Sequence, residues 1–259
     1  VSTEARINWA LLLEYDGASF AGWQLQAGPV TLQGLLEAAA MHLNGGALTR
    51  SVVAGRTDAG VHATGQVAML SLPDRYRAEQ VREALNYHLL PHPLVVLRAA
   101  PAPDGWNPRF DAIGRAYEYR ILNRRARPGL DRQRVWHVNR PLDLAAMVEG
   151  SRHLLGRHDF TSFRAVACQA KSPVRTLDRL DVVRHGEDIM VFAGARSFLH
   201  HQVRNMVGTL KLVGEGKWPP GRVARALAAL DRREAGPTAP PDGLTLTRVV
   251  YPVDPFAET

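Results

Sequence analysis

With 259 residues the chain can bury a full core as one large domain or two of roughly 100 residues each, and two is the expected arrangement. Hydrophobic and charged fractions of 46% and 22% exclude a disordered or fibrous chain; no apolar run approaches the roughly 20 residues of a membrane span, and Val1-Ser-Thr-Glu-Ala-Arg6 lacks a signal-peptide core, so a cytoplasmic protein is expected. A net charge of +7, carried by 29 arginines against 3 lysines, points to an acidic partner such as RNA or DNA, a general bias towards Arg and Ala being the alternative.

Ile7, Trp9, Leu11, Leu13 and Tyr15 alternate with Asn8, Ala10, Leu12 and Glu14, the period of a strand with one buried face, and Asp16-Gly17 ends it. Leu32, Leu35, Leu36, Ala39 and Leu43 recur at helical spacing, with Thr31 as N-cap and Gly45-Gly46 as the stop. Strands are expected over 48–53, 66–72 and 94–97, with a helix carrying Val81, Ala84, Leu85 and His88 between the last two. This half reads βαββαβ.

The order then begins again. Tyr117, Tyr119 and Ile121 mark a strand, and Leu144, Met147, Val148, Ser151 and Leu155 a helix. Strands over 174–183 and 188–193 join through His185-Gly186-Glu187; Leu199, Val203, Met206, Leu210 and Val213 make a helix, followed by a short helix over 222–230 and a last strand over 244–250. Two βαββαβ halves predict an α+β protein of two ferredoxin-like domains, 1–104 and 105–259, each an antiparallel sheet with helices on one face. Their symmetry predicts a cleft between them.

The segment Gly55-Arg-Thr-Asp-Ala-Gly-Val-His-Ala63 joins the apolar runs Val52-Val53-Ala54 and Val67-Ala68-Met69-Leu70. A hairpin needs only two turn residues, whereas roughly ten intervene here, with Asp58 the lone carboxylate among Arg56, Thr57 and His62. An ordinary turn, with Asp58 bonding its own backbone and Arg56 solvated, accounts for these residue types equally well. The single Cys168 excludes an internal disulfide or a site of several thiolates. His158-Asp159 and His200-His201 lack a third ligand at sensible spacing, so no metal is expected.

The nine residues 55–63 resemble the catalytic motif of the TruA family of tRNA pseudouridine synthases. Further segments resemble the family in its order: Tyr15-Asp16-Gly17 with Gly22-Trp23-Gln24, residues 107–119, Asp159-Phe-Thr-Ser-Phe-Arg164, Ser197-Phe-Leu-His-His-Gln-Val-Arg-Asn-Met-Val-Gly208, and Thr238-Ala-Pro-Pro-Asp-Gly-Leu244. The departures at Glu118 and Gln202 fall at positions that vary in the family.

The resemblance implies two ferredoxin-like domains joined around a central catalytic cleft, the first carrying the Asp58 loop and the second the Tyr117 strand and the Arg204 helix. It implies isomerisation of uridine to pseudouridine at positions 38, 39 and 40 of the tRNA anticodon stem-loop, without cofactor, by a homodimer. Asp58 matches the essential aspartate, which acts at C1′ as nucleophile or at C2′ as base. Tyr117 matches the tyrosine that packs on the target base, and Arg56 the arginine that contacts RNA where the nucleotide leaves its stack. A carboxylate in a closed cleft needs a fixed cation to stay ionised, and Arg204 matches that partner. His200, Arg204, Gly208 and Lys211 recur at helical spacing, which would aim a cationic face at the cleft. His62 is expected to make a structural hydrogen bond. Arg124, Arg125 and Arg127, with Arg132 and Arg134, read as a phosphate-contacting arm or as a solvated loop. Two rival readings remain: a non-catalytic RNA-binding module of ferredoxin-like fold, which needs exposed strand aromatics, and a glycosidase, which needs a second carboxylate near Asp58.

Overall fold

Trp9, Leu11, Leu13 and Tyr15 sit on alternate positions of β1 (Arg6–Tyr15) and are each 3% exposed or less, so the alternation in sequence is that of a strand with one fully buried face. The computed structural model describes residues 5–257; the four residues before them, part of the stretch read for a signal-peptide core, lie outside that range. Ten strands and five α-helices make the described residues a mixed α/β protein. They divide into two units, one formed by the chain up to Ile113 and again from Leu246, the other by Gly114–Thr245.

In the first unit α1 (Leu32–Leu43) starts where the Thr31 hydroxyl accepts from the Gly34 amide at 3.3 Å, and stops before Gly45 and Gly46, both at positive φ. β2 (Val52–Val53), β3 (His62–Pro73), α2 (Ala78–Leu89) and β4 (Leu94–Pro101) follow, in the order βαββαβ expected. The strands lie β4-β1-β3, antiparallel, with β2 also on β3, and α2 packs on both α1 and β4. The strand expected over 48–53 shrinks to two residues because side chains satisfy its backbone instead of a ladder. The Ser51 amide and hydroxyl donate to Oε1 of Glu37, at 2.8 and 3.0 Å, and that carboxylate is 2% exposed. Conversely, β3 begins four residues earlier than expected. Between the pairs Leu13↔Gln66 and Tyr15↔Ala63, β1 advances two residues while β3 advances three, so β3 carries a bulge there.

The second unit contains β5 (Gly114–Leu122), β6 (Trp136–His137), α3 (Leu144–Arg152), β7 (Gly156–Asp159), β8 (Val174–His185), β9 (Asp188–Ala195), α4 (Gln202–Gly214) and α5 (Gly221–Ala228). Its strands lie β5-β9-β8-β7, with β6 parallel to β5, and α3 packs against β8 and α4. β6 and β7, of 2 and 4 residues, are too short for a period to show in sequence. α4 starts at Gln202 rather than at Leu199 because His201 takes a left-handed φ of 63°. Past β10 (Leu244–Val250) the chain is part of the first unit: the Ile113 amide donates to the Val250 carbonyl at 2.8 Å, and the Tyr251 hydroxyl to the Pro108 carbonyl at 2.8 Å.

Gly208 in α4 and Gly236 let helix and loop backbones touch. A methyl on Gly208 would strike the Pro237 carbonyl oxygen, and one on Gly236 would sit 2.7 Å from Cα of Thr209. Gly208→Ala is therefore expected to cost about 3 kcal/mol. Gly45→Ala, with open space but φ +61°, should cost only about 1 kcal/mol. Denaturant midpoints of the two variants test the ranking, and equal midpoints would contradict the packing of α4 on residues 236–239.

Candidate active site

Between β2 and β3 the chain leaves the ladder, and three consecutive residues take three environments: Arg56 is exposed, Thr57 buried and Asp58 half-buried. Thr57 is the anchor. Its carbonyl accepts from the Trp23 amide at 3.0 Å, and its hydroxyl lies 2.8 Å from that of Tyr15. Beyond it, the Val61 amide donates to the Asp58 carbonyl at 3.2 Å, closing a tight turn whose third residue, Gly60, has the φ of +79° that a type II turn requires. The Gly60 amide reaches the Phe20 carbonyl at 3.3 Å.

The floor of this turn is residues 16–24, and two glycines bring it close. Gly22 has φ +89°, and a methyl there would lie 2.8 Å from the Thr57 carbonyl oxygen and 3.0 Å from the Ala59 amide. A methyl on Gly17 would collide with the Val61 carbonyl. His62 finishes the floor as expected, with a structural bond: its Nδ1 is 3.1 Å from the Gly17 amide and 3.1 Å from Oδ1 of Asp16. Bare, that nitrogen accepts from Gly17; protonated, it donates to Asp16; either state ties β3 to the turn at 16–18.

In the second unit Tyr117, Tyr119 and Ile121 share the face of β5 that matches buried Ala193, Val191 and Ile189 on β9. Tyr119 is core, as expected. Its hydroxyl donates to the Pro240 carbonyl at 2.7 Å, and burial pushes its pKa far up against the opposing pull of the Arg204 charge. Tyr117, near the start of the strand, is half-buried and meets the Phe198 ring edge-on, with centroids 5.2 Å apart. Arg204 lies in the first turn of α4, where its Nε donates to the Ala239 carbonyl at 2.8 Å while its own carbonyl accepts from the Ala239 amide at 3.1 Å. Next to it, buried Asn205 donates to the Phe163 carbonyl at 2.8 Å and accepts from Arg232 at 3.0 Å and Thr238 at 2.7 Å. The block 238–244 thus clamps both β5 and the start of α4.

The broad cationic face expected along α4 is narrower than its spacing implies. His200 precedes the helix, Gly208 packs on Pro237, and Lys211 pairs with Glu215 at 2.6 Å while its ammonium stands 5.6 Å from the Trp136 ring centroid. In the arginine-rich loop, Arg124 is committed to Glu187 at 2.8 Å and to the Ala126 carbonyl at 3.0 Å, whereas Arg125, Arg127, Arg132 and Arg134 are exposed. Arg120, not singled out in sequence, anchors this loop by bonding both Asp131 and Asp188. Thr57, Gln66 and Asn205 were also not singled out. Their roles rest on partners from other segments, which no local pattern shows.

Residues 12–111 and 151–252 match the tRNA pseudouridine synthase family. Asp58 and Arg204 lie inside those stretches, and Tyr117 and the arginine-rich loop between them. A tRNA pseudouridine synthase A of Acidiphilium cryptum (strain JF-5) is 67% identical over 249 residues, 96% of this chain and 98% of the relative. Proteins of the same name from Gluconobacter oxydans (strain 621H) and Paramagnetospirillum magneticum (strain ATCC 700264 / AMB-1) are 55% and 58% identical, over 96% and 94% of this chain and 91% and 94% of theirs.

The close floor under Asp58 generates a stability contrast. Gly17→Ala should lower the melting midpoint by more than about 5 °C and shift the emission of Trp23 as its packing opens. Gly55→Ala, where nothing lies within 4 Å and φ is ordinary, should leave both unchanged. Thermal melts followed by fluorescence check this, and equal melts for the two variants would refute the contact with Val61.

Proposed function

The chain belongs to the tRNA pseudouridine synthase family, and on that premise we propose that it converts uridine to pseudouridine at positions 38, 39 and 40 of the tRNA anticodon stem-loop. The reaction is an isomerisation: the bond from N1 of uracil to C1′ of ribose breaks, the base turns, C5 bonds to C1′, and the proton on C5 leaves as N1 gains one. Nothing is oxidised or reduced.

The observation that carries the reading is the setting of Asp58, a carboxylate on a braced turn, reachable by a ligand, with a guanidinium two residues before it. Asp58 acts on the ribose, at C1′ or at C2′. Arg56 contacts the RNA where the target nucleotide leaves the stack, since a stacked uridine hides its sugar. Tyr117 offers its ring to the base, with Phe198 at its edge. Arg204, fixed through Nε, is read as the cationic partner of that carboxylate. Arg125 and Arg127 are the better candidates for phosphate contact in their loop, because Arg124 is already bonded to Glu187.

Each half, 1–104 and 105–259, is read as ferredoxin-like. The strand order β4-β1-β3, with β2 on β3, supports this for the first, and β5-β9-β8 supports it for the second. The reading also includes a cytoplasmic homodimer. A chain of this length has a radius of gyration of roughly 18 Å, small beside a whole tRNA, so a second copy would extend the grip.

Asp58→Asn is expected to abolish turnover while leaving tRNA affinity within about threefold, since one carboxylate contributes little among many phosphate contacts. Tritium release from C5-labelled tRNA, with chemical mapping of pseudouridine, measures it. Residual turnover above about a hundredth of wild type sinks the role of Asp58, and free uracil in place of pseudouridine sinks the isomerase reading. Replacing Arg125 and Arg127 by Ala should raise KM several-fold with kcat unchanged and make binding less salt-dependent by roughly two phosphate contacts. An unchanged salt slope removes that loop from the RNA surface.

A further inference from the structure

Three buried polar side chains lie under Asp58 and make no contribution to a core that apolar residues could not make better. Tyr15, Thr57 and Gln66 are 3%, 6% and 0% exposed. Burying such groups costs free energy unless each is bonded, and here the bonds form one chain.

It starts at the amide of Gln66. Oε1 accepts from the Val67 amide at 3.1 Å, which settles which end of the side chain is nitrogen. The two protons on Nε2 then go to the Gly55 carbonyl at 2.8 Å and to the Tyr15 hydroxyl oxygen at 3.3 Å. The Tyr15 hydroxyl in turn lies 2.8 Å from that of Thr57, and one of the two donates to the other. Burial pushes the Tyr15 hydroxyl up to about 12, so it keeps its proton through the ordinary pH range. The chain thus grips the loop at Gly55 and Thr57, on either side of exposed Arg56.

The Trp23 amide holds the Thr57 carbonyl from the other side, at 3.0 Å. Thr57 is therefore pinned at side chain and carbonyl together, and the peptide from which Asp58 springs starts from a fixed plane. The pairing of the strands makes this possible: Gln66 opposes Leu13 and so shares its face, and Tyr15, two residues on along β1, lies on that face too.

We propose that Tyr15 and Gln66 are positioning residues that act through Thr57 to set the carboxylate of Asp58 and the guanidinium of Arg56 towards the substrate. The proposal rests on the reaction assigned above and adds to it the device that orients the reacting group. Small displacements of a reacting group cost on the order of a hundredfold in rate, which sets the size of effect to look for.

The experiment compares Tyr15→Phe, Thr57→Val, Thr57→Ser and the double variant Tyr15→Phe/Thr57→Val, well below their melting temperatures. It reads single-turnover pseudouridine formation, tRNA affinity, and amide hydrogen exchange of residues 55–61. Tyr15→Phe and Thr57→Val are each expected to slow the chemical step about 10- to 100-fold with affinity within about threefold, and to speed exchange in that segment. Thr57→Ser, which keeps the hydroxyl, should stay within about threefold of wild type, and the double variant should be no slower than the worse single, because the bond between Tyr15 and Thr57 is already lost in each. Rates within about twofold of wild type in both single variants, equal losses in Thr57→Ser and Thr57→Val, or losses that multiply in the double variant would each overturn the proposal. Should Tyr15→Phe not fold, the contrast between Ser and Val at position 57 decides alone. Should the wild-type protein form no pseudouridine, the assigned reaction fails by itself, and the exchange data still decide the tether: faster exchange in the variants supports it and unchanged exchange overturns it.

Discussion

Backbone has to lie directly against backbone beneath Asp58, and most of what surrounds that residue follows from this. A carbonyl of the loop occupies the place where a side chain on Gly17 would be, and the peptide planes of Thr57 and Ala59 occupy the place beside Gly22. Only residues without a Cβ meet the requirement, and Gly22 must in addition adopt a φ that other residues avoid. In return the loop gains donors and acceptors from a segment that is itself held by Trp23, 1% exposed against the Tyr15 ring. An eight-residue excursion between strands, ordinarily a place of mobility, is instead bonded on both sides of its carboxylate.

The second unit solves a similar problem with a side chain in place of glycine. α4 presents Arg204 from its first turn, where a helix end has unsatisfied backbone groups and is prone to fray. Asn205 stops that by joining three segments at once, and Arg232 and Thr238 both give it protons. His201, with its left-handed backbone, turns the chain into the helix at a cost of about 1–3 kcal/mol that the clamp must offset. Tyr119 adds a bond to Pro240, beside the Ala239 that holds Arg204, so the strand carrying Tyr117 and the helix carrying Arg204 are referred to one short stretch of chain.

Much of this was legible in the sequence, and the parts that were not share a cause. The period of β1, the Thr31 cap and Gly45-Gly46 stop of α1, the hairpin at Gly186 and the stripe of α4 all express local rules that a single segment obeys by itself. The truncation of the strand at 48–53 depends on Glu37, a residue on another element, and no local pattern at Ser51 announces it. The bulge of β3 is likewise invisible, since the count of residues between Ala63 and Gln66 changes meaning only once β1 is alongside. Asp58, Arg56, Tyr117 and Arg204 were reached through motif resemblance, whereas Thr57 and Gln66 became visible only as bonded neighbours. The cationic stripe of α4 was the opposite case: its spacing was real, but Lys211 was already paired with Glu215.

The return of the chain from Leu246 to the first unit sets an order of events during synthesis. The strand segment that closes on Gly65, and the tyrosine that bonds Pro108, leave the ribosome only after the whole of Gly114–Thr245 has been made. Every residue of the second unit is therefore available for folding before the first unit has its last strand. If the second unit folds as it emerges, the ends of that insertion are held by a folded body rather than by a free coil, and closing the first unit forgoes most of the roughly 4 kcal/mol that joining the ends of so long a flexible loop would cost. Until then β3 lacks the partner that closes on Gly65, so the turn bearing Asp58 is made early and the sheet beside it is complete only at the end.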